Sequence, residues 1–497
     1  MAESISQERS AGPLIPDSSR LAHLLLVAAM CLGLFQVYRL FRFIDRYSVD
    51  VPYWDQWDYY QAFVTPHTLW VIFAWQHGPH RQGIGFFLTW LVNELTDWNQ
   101  RAQGFTIGLV MLSAALATLW LKRRLFGSLR WYDLIPVLFI LSLRQWEIYA
   151  STPNVSHGAM PLLLVILSCL AWTVRNVYLR YGLVLILGFL ATYTGFGMFV
   201  GMINPLLLAA DLWLARERRS RGDLIAASVA LLLAILSLAS FYTNYLFAPA
   251  VNNFQFPDPN WHLYPAFMSL QFAGLFGRPS SGVGRIVLGF MIMAGLLAIL
   301  ANSAVRLLRA AAQDTPARVI FFLLAFAMAF SANAAVGRLC LGLGAAGSSR
   351  YYPLLVPAAL GLYFALLARP AGRTKDALIL LLLSYTLFAT MGVKEQRHAK
   401  STFEGKTRWV AAYLESPQVQ ALAESPQAGA RLEKRRVIAV NKKADFKVYP
   451  LENEKFALRL MWLRQHHYSF FRKAVLPISR PTAPLERLPT TVAAVGL

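Results

Sequence analysis

The sequence predicts an all-α polytopic membrane protein with about eleven transmembrane helices, and three observations predict it. Of 497 residues, 56% are hydrophobic and only 15% are charged, well below the roughly 25% of a soluble domain; mean hydropathy is +0.44. Apolar runs recur from residue 21 to residue 393, many of them near the ~20 residues that a bilayer core demands. The 47 Lys and Arg outnumber the 26 Asp and Glu to give a net charge of +21, and the excess sits in short loops between those runs, as the positive-inside rule expects. In a soluble chain that balance would suggest nucleic acid; here no nucleic-acid partner is expected.

Taken in order, the expected spans are residues 21–41, 104–121, 131–149, 158–174, 181–194, 196–215, 224–247, 285–308, 319–336, 353–368 and 376–393. The first run is long and no small-residue cleavage site follows, so it reads as a retained helix, with residues 1–20 a cytoplasmic segment. Lys122, Arg123, Arg124 and Arg130 share one loop, and Arg216, Arg218, Arg219 and Arg221 a second. Arg306, Arg309 and Arg318 share a third, and Arg369, Arg373 and Lys375 a fourth. All four fall on the cytoplasmic side if the amino terminus does. That parity requires residues 82–95, fourteen long and ending in Asn93 and Glu94, to lie in the outer interface without crossing. Residues 42–103, 248–284 and 337–352 then face outward.

After residue 393 the apolar runs stop. Residues 394–497 read as a small α/β extramembrane domain on the outer, periplasmic side, with a strand-like RRVIAV at 435–440 and an amphipathic helix around 456–471. Cys31 and Cys169 lie in apolar runs and Cys340 just past one, which gives neither a disulfide framework nor metal-ligand spacing.

Candidate chemistry crowds into the first outer loop. Asp55 and Asp58 stand at i and i+3, so a helix over 54–63 puts both carboxylates on one face, anchored at the headgroups by Tyr53, Trp54, Trp57, Tyr59 and Tyr60. A carboxylate held beside an apolar wall can serve as a general base; the bland alternative is a pair of solvated, helix-capping acids. His77 and His80 flank Gly78-Pro79, the mark of a turn. They suit hydrogen bonding better than a zinc site, because no other metal-like cluster exists in the chain; no cofactor is expected, a divalent cation being left open. Arg144 and Glu147, again i and i+3, read first as a structural ion pair near the outer end of the third span. Asn154 and His157 follow in the next loop. Residues 342–347, GLGAAG, match a dinucleotide fingerprint in letters only, since no strand precedes them. Arg350-Tyr351-Tyr352-Pro353 opens a helix at its outer end, where a basic side chain suits a lipid phosphate or simply snorkels to headgroups.

In this order the motifs resemble those of the GT-C membrane glycosyltransferases, in the branch of protein mannosyltransferases and the lipid A aminoarabinose transferase. The similar stretches are WDQWDYY (54–60), QHGPHRQ (76–82), GFFLTWLVNEL (85–95), DWNQRAQ (97–103), KRRLFG (122–127), GFLATYTGFGMF (188–199) and RYYP (350–353). The resemblance covers roughly residues 21–393. It departs from the family where the usual Asp-Glu pair reads Asp55-Gln56, and where the next outer loop lacks a second acid. It implies a GT-C-like fold and an inverting glycosyltransferase. The donor would be a polyprenyl-phosphate sugar and the acceptor a cell-envelope glycan, lipid or protein, at the outer face of the inner membrane. Asp55 would be the general base, with Asp58 its helper. Arg350, Tyr351, Arg338, Arg278 and Arg81 would hold the donor phosphate, and His77, His80, Glu147 and His157 would support the acceptor. The rival is a transporter or flippase, which should carry its polar sites near the bilayer midplane on broken half-repeats.

Overall fold

A computed structural model of the chain describes residues 19–65, 67–215, 220–249, 251, 253–277, 282–309, 314–391, 394–416 and 426–473. Arg278 and the basic residues Arg216, Arg218 and Arg219 lie outside the described residues. Among the described residues seven helices are long and apolar enough to cross a membrane: Arg20–Tyr47, Gln100–Phe126, Gly195–Trp213, Arg221–Ser240, Val283–Arg309, Thr315–Leu341 and Ser349–Leu367. The chain is an integral membrane protein. Two shorter apolar helices, Ala159–Trp172 and Val177–Thr192, complete the bundle with Arg373–Thr390. The last two of the seven form the buried centre, while Arg20–Tyr47 and Val283–Arg309 expose most of their apolar surface outward.

The expected third span is broken. A 3-10 turn at Trp131–Asp133 leads into the helix Leu134–Ile140, a second 3-10 turn at Leu143–Gln145, and a π-turn at Glu147–Ser151. Irregular backbone at this depth needs internal partners. Gln36 Nε2 donates to Leu141 O at 2.8 Å, Gln145 Nε2 donates to Ile140 O, and Ser142 Oγ accepts from Arg144 N at 3.2 Å. A buried ion pair, Lys122–Asp133 at 2.9 Å, ties this stretch to the helix Gln100–Phe126. Arg144 and Glu147 do not pair as expected: Arg144 Nη1 donates to Leu275 O at 3.2 Å, leaving Glu147 for a distant partner described below.

The expected outer loop 248–284 contains a helix, Tyr264–Phe276, that packs along Val283–Arg309 and Thr315–Arg338 with Phe267 and Phe272 fully buried. At thirteen residues it is too short to span, so hydropathy alone hides it. Residues 83–96 form one interrupted-free helix, Gly83–Thr96, about 21 Å long at 1.5 Å per residue, short of the roughly 30 Å hydrocarbon core.

Among its described residues the carboxyl-terminal region holds no strand; its helices are Lys394–Glu415, Pro426–Ala444 and Glu454–Gln465, the last two joined by a non-helical link at 445–453. The expected strand at 435–440 lies inside the second of these. Its β-branched residues suggested a strand, but Ala430, Val437, Val440 and Ala444 are buried at helical spacing and fix the outcome. These helices share one apolar core with the first outer loop. Val51, Trp57, Tyr60, Phe63 and Trp98 pack with Trp409, Tyr413, Val448, Phe456 and Phe470. Trp57 meets Phe456 edge-on at 4.7 Å, and Trp98 stacks on Tyr468 at 5.7 Å.

Replacing Phe456 with Ala should therefore destabilise the outer loop as well as the tail, by about 3–5 kcal/mol. Limited proteolysis should then cut within residues 48–75 as readily as within the tail. Cleavage confined to the tail would show that the two segments fold separately.

Candidate functional site

The loop after the first helix is set by its anchors. Asp50 accepts from Gln100 N at 2.9 Å and from Arg472 Nη2 at 2.6 Å. Trp54 then takes a left-handed conformation, φ +51°, strained for a bulky side chain, and its N–H donates to Val448 O at 2.8 Å. The strain turns the chain so that Asp55 faces outward while Gln56 faces in. Gln56 is wholly buried, donating to Gln100 Oε1 at 2.8 Å and Pro153 O at 3.1 Å. Both partners are acceptors, so an amide fits where a glutamate would leave an unpaired buried charge.

Asp55 Oδ2 stands 3.5 Å from Arg350 Nη1, and Arg350 Nη2 lies 3.0 Å from Glu147 Oε1. Ser349 Oγ donates to the other Glu147 oxygen at 2.9 Å. Residues 295 apart in sequence thus meet at one guanidinium. The side chains of Asp55 and Arg350 remain 42% and 44% exposed, so a substrate can reach both. Glu147, heading the π-turn, brings a second acid to this guanidinium, and π-turns are frequent at functional sites.

Asp58 goes elsewhere. Two short helices, Gln56–Tyr59 and Gln61–Val64, replace the single helix expected. Asp58 accepts from Tyr449 Oη at 2.6 Å and Arg459 Nη1 at 3.0 Å, and Arg459 Nε also donates to Gln61 at 3.2 Å. Its carboxylate fastens the loop to the carboxyl-terminal helices. Arg81 is likewise structural: buried between the Tyr193 and Phe241 rings, it donates to Phe241 O at 2.9 Å, Ala74 O at 2.7 Å and Thr243 O. All three guanidinium nitrogens thus donate to backbone carbonyls.

His77 and His80 face each other across a hairpin, Gln76–His77 against His80–Arg81, reversing at Gly78-Pro79. His80 lies 4.1 Å from the Phe196 ring and 5.9 Å from His157, whose Nε2 is 3.1 Å from Gln82 Nε2. Gly195, at φ +53°, admits this contact; a Cβ there would stand 2.1 Å from Ser156 O. Burial lowers the pKa of His77 against the pull of Asp55 and Asp58. Burial, then Arg338 and His77, lowers His80 to about 3. His157 is lowered well below 6.5 by burial, then by His80, His77, Arg350 and Arg338. Three neutral imidazoles therefore line the site beside Arg338 and Arg350, and Arg338 hydrogen-bonds Tyr351. Among the described residues no group of three or more His, Cys, Asp or Glu is arranged to hold a metal ion. The glycine-rich stretch after Arg338 forms 3-10 turns at Leu339–Leu341 and Leu343–Gly347. Sequence reasoning missed Ser349, Tyr449 and Arg459, which carry no local motif.

No family model and no curated protein matches the sequence. Two crystal structures of ArnT from Cupriavidus metallidurans are similar to this chain. The apo form shares 15% identity over 91% of this chain and 78% of that chain, with a TM-score of 0.38. The form bound to undecaprenyl phosphate shares 13% identity over 90% and 77%, with a TM-score of 0.37.

The histidine shifts fix a pH dependence of stability. His80 is neutral in the fold down to about pH 3, whereas its ordinary value is 6.5. Below 6.5 the unfolded chain takes up a proton that the folded chain refuses, so stability falls as pH drops. The apparent melting temperature should decline between about pH 7 and about pH 5, and His80→Gln should make the decline shallower. An identical slope in the variant would show that His80 titrates normally.

Proposed function

We propose that this chain is an inverting membrane glycosyltransferase of the GT-C kind, moving a sugar from a polyprenyl-phosphate donor to a cell-envelope glycan, lipid or protein acceptor. The observation that carries the reading is the pairing of Asp55 with Arg350 at 3.5 Å. It sets a solvent-reachable carboxylate against a guanidinium at the mouth of the membrane helix Ser349–Leu367. The lipid tail lies among apolar helices, and its phosphate meets Arg350 and Arg338, beside Tyr351, at their ends. Phosphate oxygens suit the guanidinium fork, so the arriving donor takes over Arg350 and releases Asp55. Asp55 then accepts the proton of an acceptor hydroxyl as that oxygen attacks the anomeric carbon. The bond from that carbon to phosphate breaks, and the arginines stabilise the departing lipid phosphate. A single displacement inverts the anomeric centre. Glu147 holds Arg350 in register, and the neutral His77, His80 and His157 offer uncharged hydrogen bonds to sugar hydroxyls.

In the same proposal residues 1–20 are cytoplasmic, residues 21–393 form the transmembrane part with eleven spans and a catalytic outer loop at 42–103, and residues 394–497 lie outside, in the periplasm. A thiol probe at the exposed position 442, Lys442→Cys in a background lacking the native cysteines, should label in intact cells. Labelling only after lysis would reverse the orientation.

The chemistry is tested by transfer of a labelled sugar from polyprenyl phosphate to an envelope extract, using purified variants. Loss of a positioned base costs about 10²–10⁴ in rate, so Asp55→Asn should fall by that factor while Asp58→Asn, if it stays folded, retains turnover at saturating donor. Wild-type turnover by Asp55→Asn would remove it as the base.

A further inference from the structure

Lys406 belongs to the carboxyl-terminal helix Lys394–Glu415 and is 1% exposed. Its Nζ donates to Ser151 O at 2.5 Å and to Ala150 O at 3.4 Å, the last carbonyls of the π-turn that Glu147 heads. The same Nζ lies 4.7 Å from the centre of the Tyr53 ring, two residues before Asp55. Phe446 stacks on Tyr53 at 5.8 Å, nearly parallel. Gly405 sits so close to Phe446 that a Cβ would stand 2.2 Å from its ring. The helix is thereby held at one depth, and one ammonium touches both acid-bearing segments.

We propose that Lys406 is a positioning residue that sets Asp55 and Glu147 at the spacing Arg350 requires, an inference resting on the reading of those two acids as the working site. Three groups of observations carry it. The π-turn ends with carbonyls that lack helical partners, and an ammonium both donates to them and favours the negative end of their dipoles. The Tyr53 face attracts the same cation. And no carboxylate lies within ion-pair distance of Lys406 among the described residues. The titratable neighbours on adjoining segments are Tyr53, whose hydroxyl burial keeps protonated, and Glu147, already paired with Arg350. On its own helix stand His398, stacked on Trp146, and Glu404, paired with Lys400. Burial draws the Lys406 pKa down to about 7, so holding the charge there costs stability that packing alone does not require.

The test compares Lys406→Met, of similar length and uncharged, with Lys406→Arg in the full chain. Hydrogen exchange should quicken about threefold or more in both 48–60 and 147–154 in Lys406→Met. Its turnover should fall about tenfold or more with donor KM nearly unchanged, and Lys406→Arg should recover part of both. The melting temperature of Lys406→Met should hold or rise, whereas a plain structural role makes it fall. Unchanged exchange in either segment overturns the proposal, as does wild-type turnover in a chain where Asp55→Asn is inactive. If Asp55→Asn stays active, the transferase reading falls and hydrogen exchange alone decides Lys406.

Discussion

The first outer loop has no core of its own, and the site depends on how it obtains one. Its apolar residues, Val51, Trp57, Tyr60 and Phe63 among them, are buried only because helices from the far end of the chain cover them. Aromatic pairs such as Trp57 with Phe456 are worth about 0.5–1.5 kcal/mol beyond the area they bury. Around that core run polar ties: Asp50 to Arg472, Trp54 N–H to Val448 O, Asp58 to Tyr449 and Arg459. Together they hold a strained backbone at Trp54, and the strain is what presents Asp55.

The site joins two half-exposed charges, Asp55 and Arg350, to a more buried Glu147 and to histidines that are partly or wholly buried. Asp55, Glu147 and Arg350 form a compact unit in which one cation is shared by two acids. In the proposed reaction an arriving phosphate would compete with Asp55 for that fork. The imidazoles behind it are buried and neutral, so they add hydrogen-bonding capacity without adding charge to the pocket wall. Polar groups gather at one end of the apolar helices, where a lipid-linked substrate would present its head.

Much of this was legible in the sequence, and the failures have physical causes. Apolar run length identified the long helices because lipid requires it. Asp55 and Arg350 were legible as candidates, each beside an aromatic or proline signal at a helix mouth. Their contact was not, since nothing local encodes a pairing across 295 residues. Glu147 was drawn towards Arg144 by helical spacing, but the backbone there is a π-turn and the spacing rule does not apply. Asp58 was expected beside Asp55 as its helper on one helical face, but its partners come from residues 449 and 459, which nothing local encodes. The strand expected at 435–440 and the hidden helix Tyr264–Phe276 were settled by tertiary burial, which overrides local propensity.

The central claim is that Arg350 exchanges the Asp55 carboxylate for a lipid phosphate while Glu147 keeps it in register. The most direct measurement is the affinity of the purified chain in lipid nanodiscs for polyprenyl phosphate, set against unphosphorylated polyprenol. A hydrogen bond to a charged group contributes about 1.5–3 kcal/mol, so wild type should favour the phosphate by about tenfold or more. Arg350→Ala should lose that preference, and Asp55→Asn should strengthen it, because the carboxylate that the phosphate displaces is gone. Equal affinity for the two lipids in wild type, or an undiminished preference in Arg350→Ala, would contradict the account.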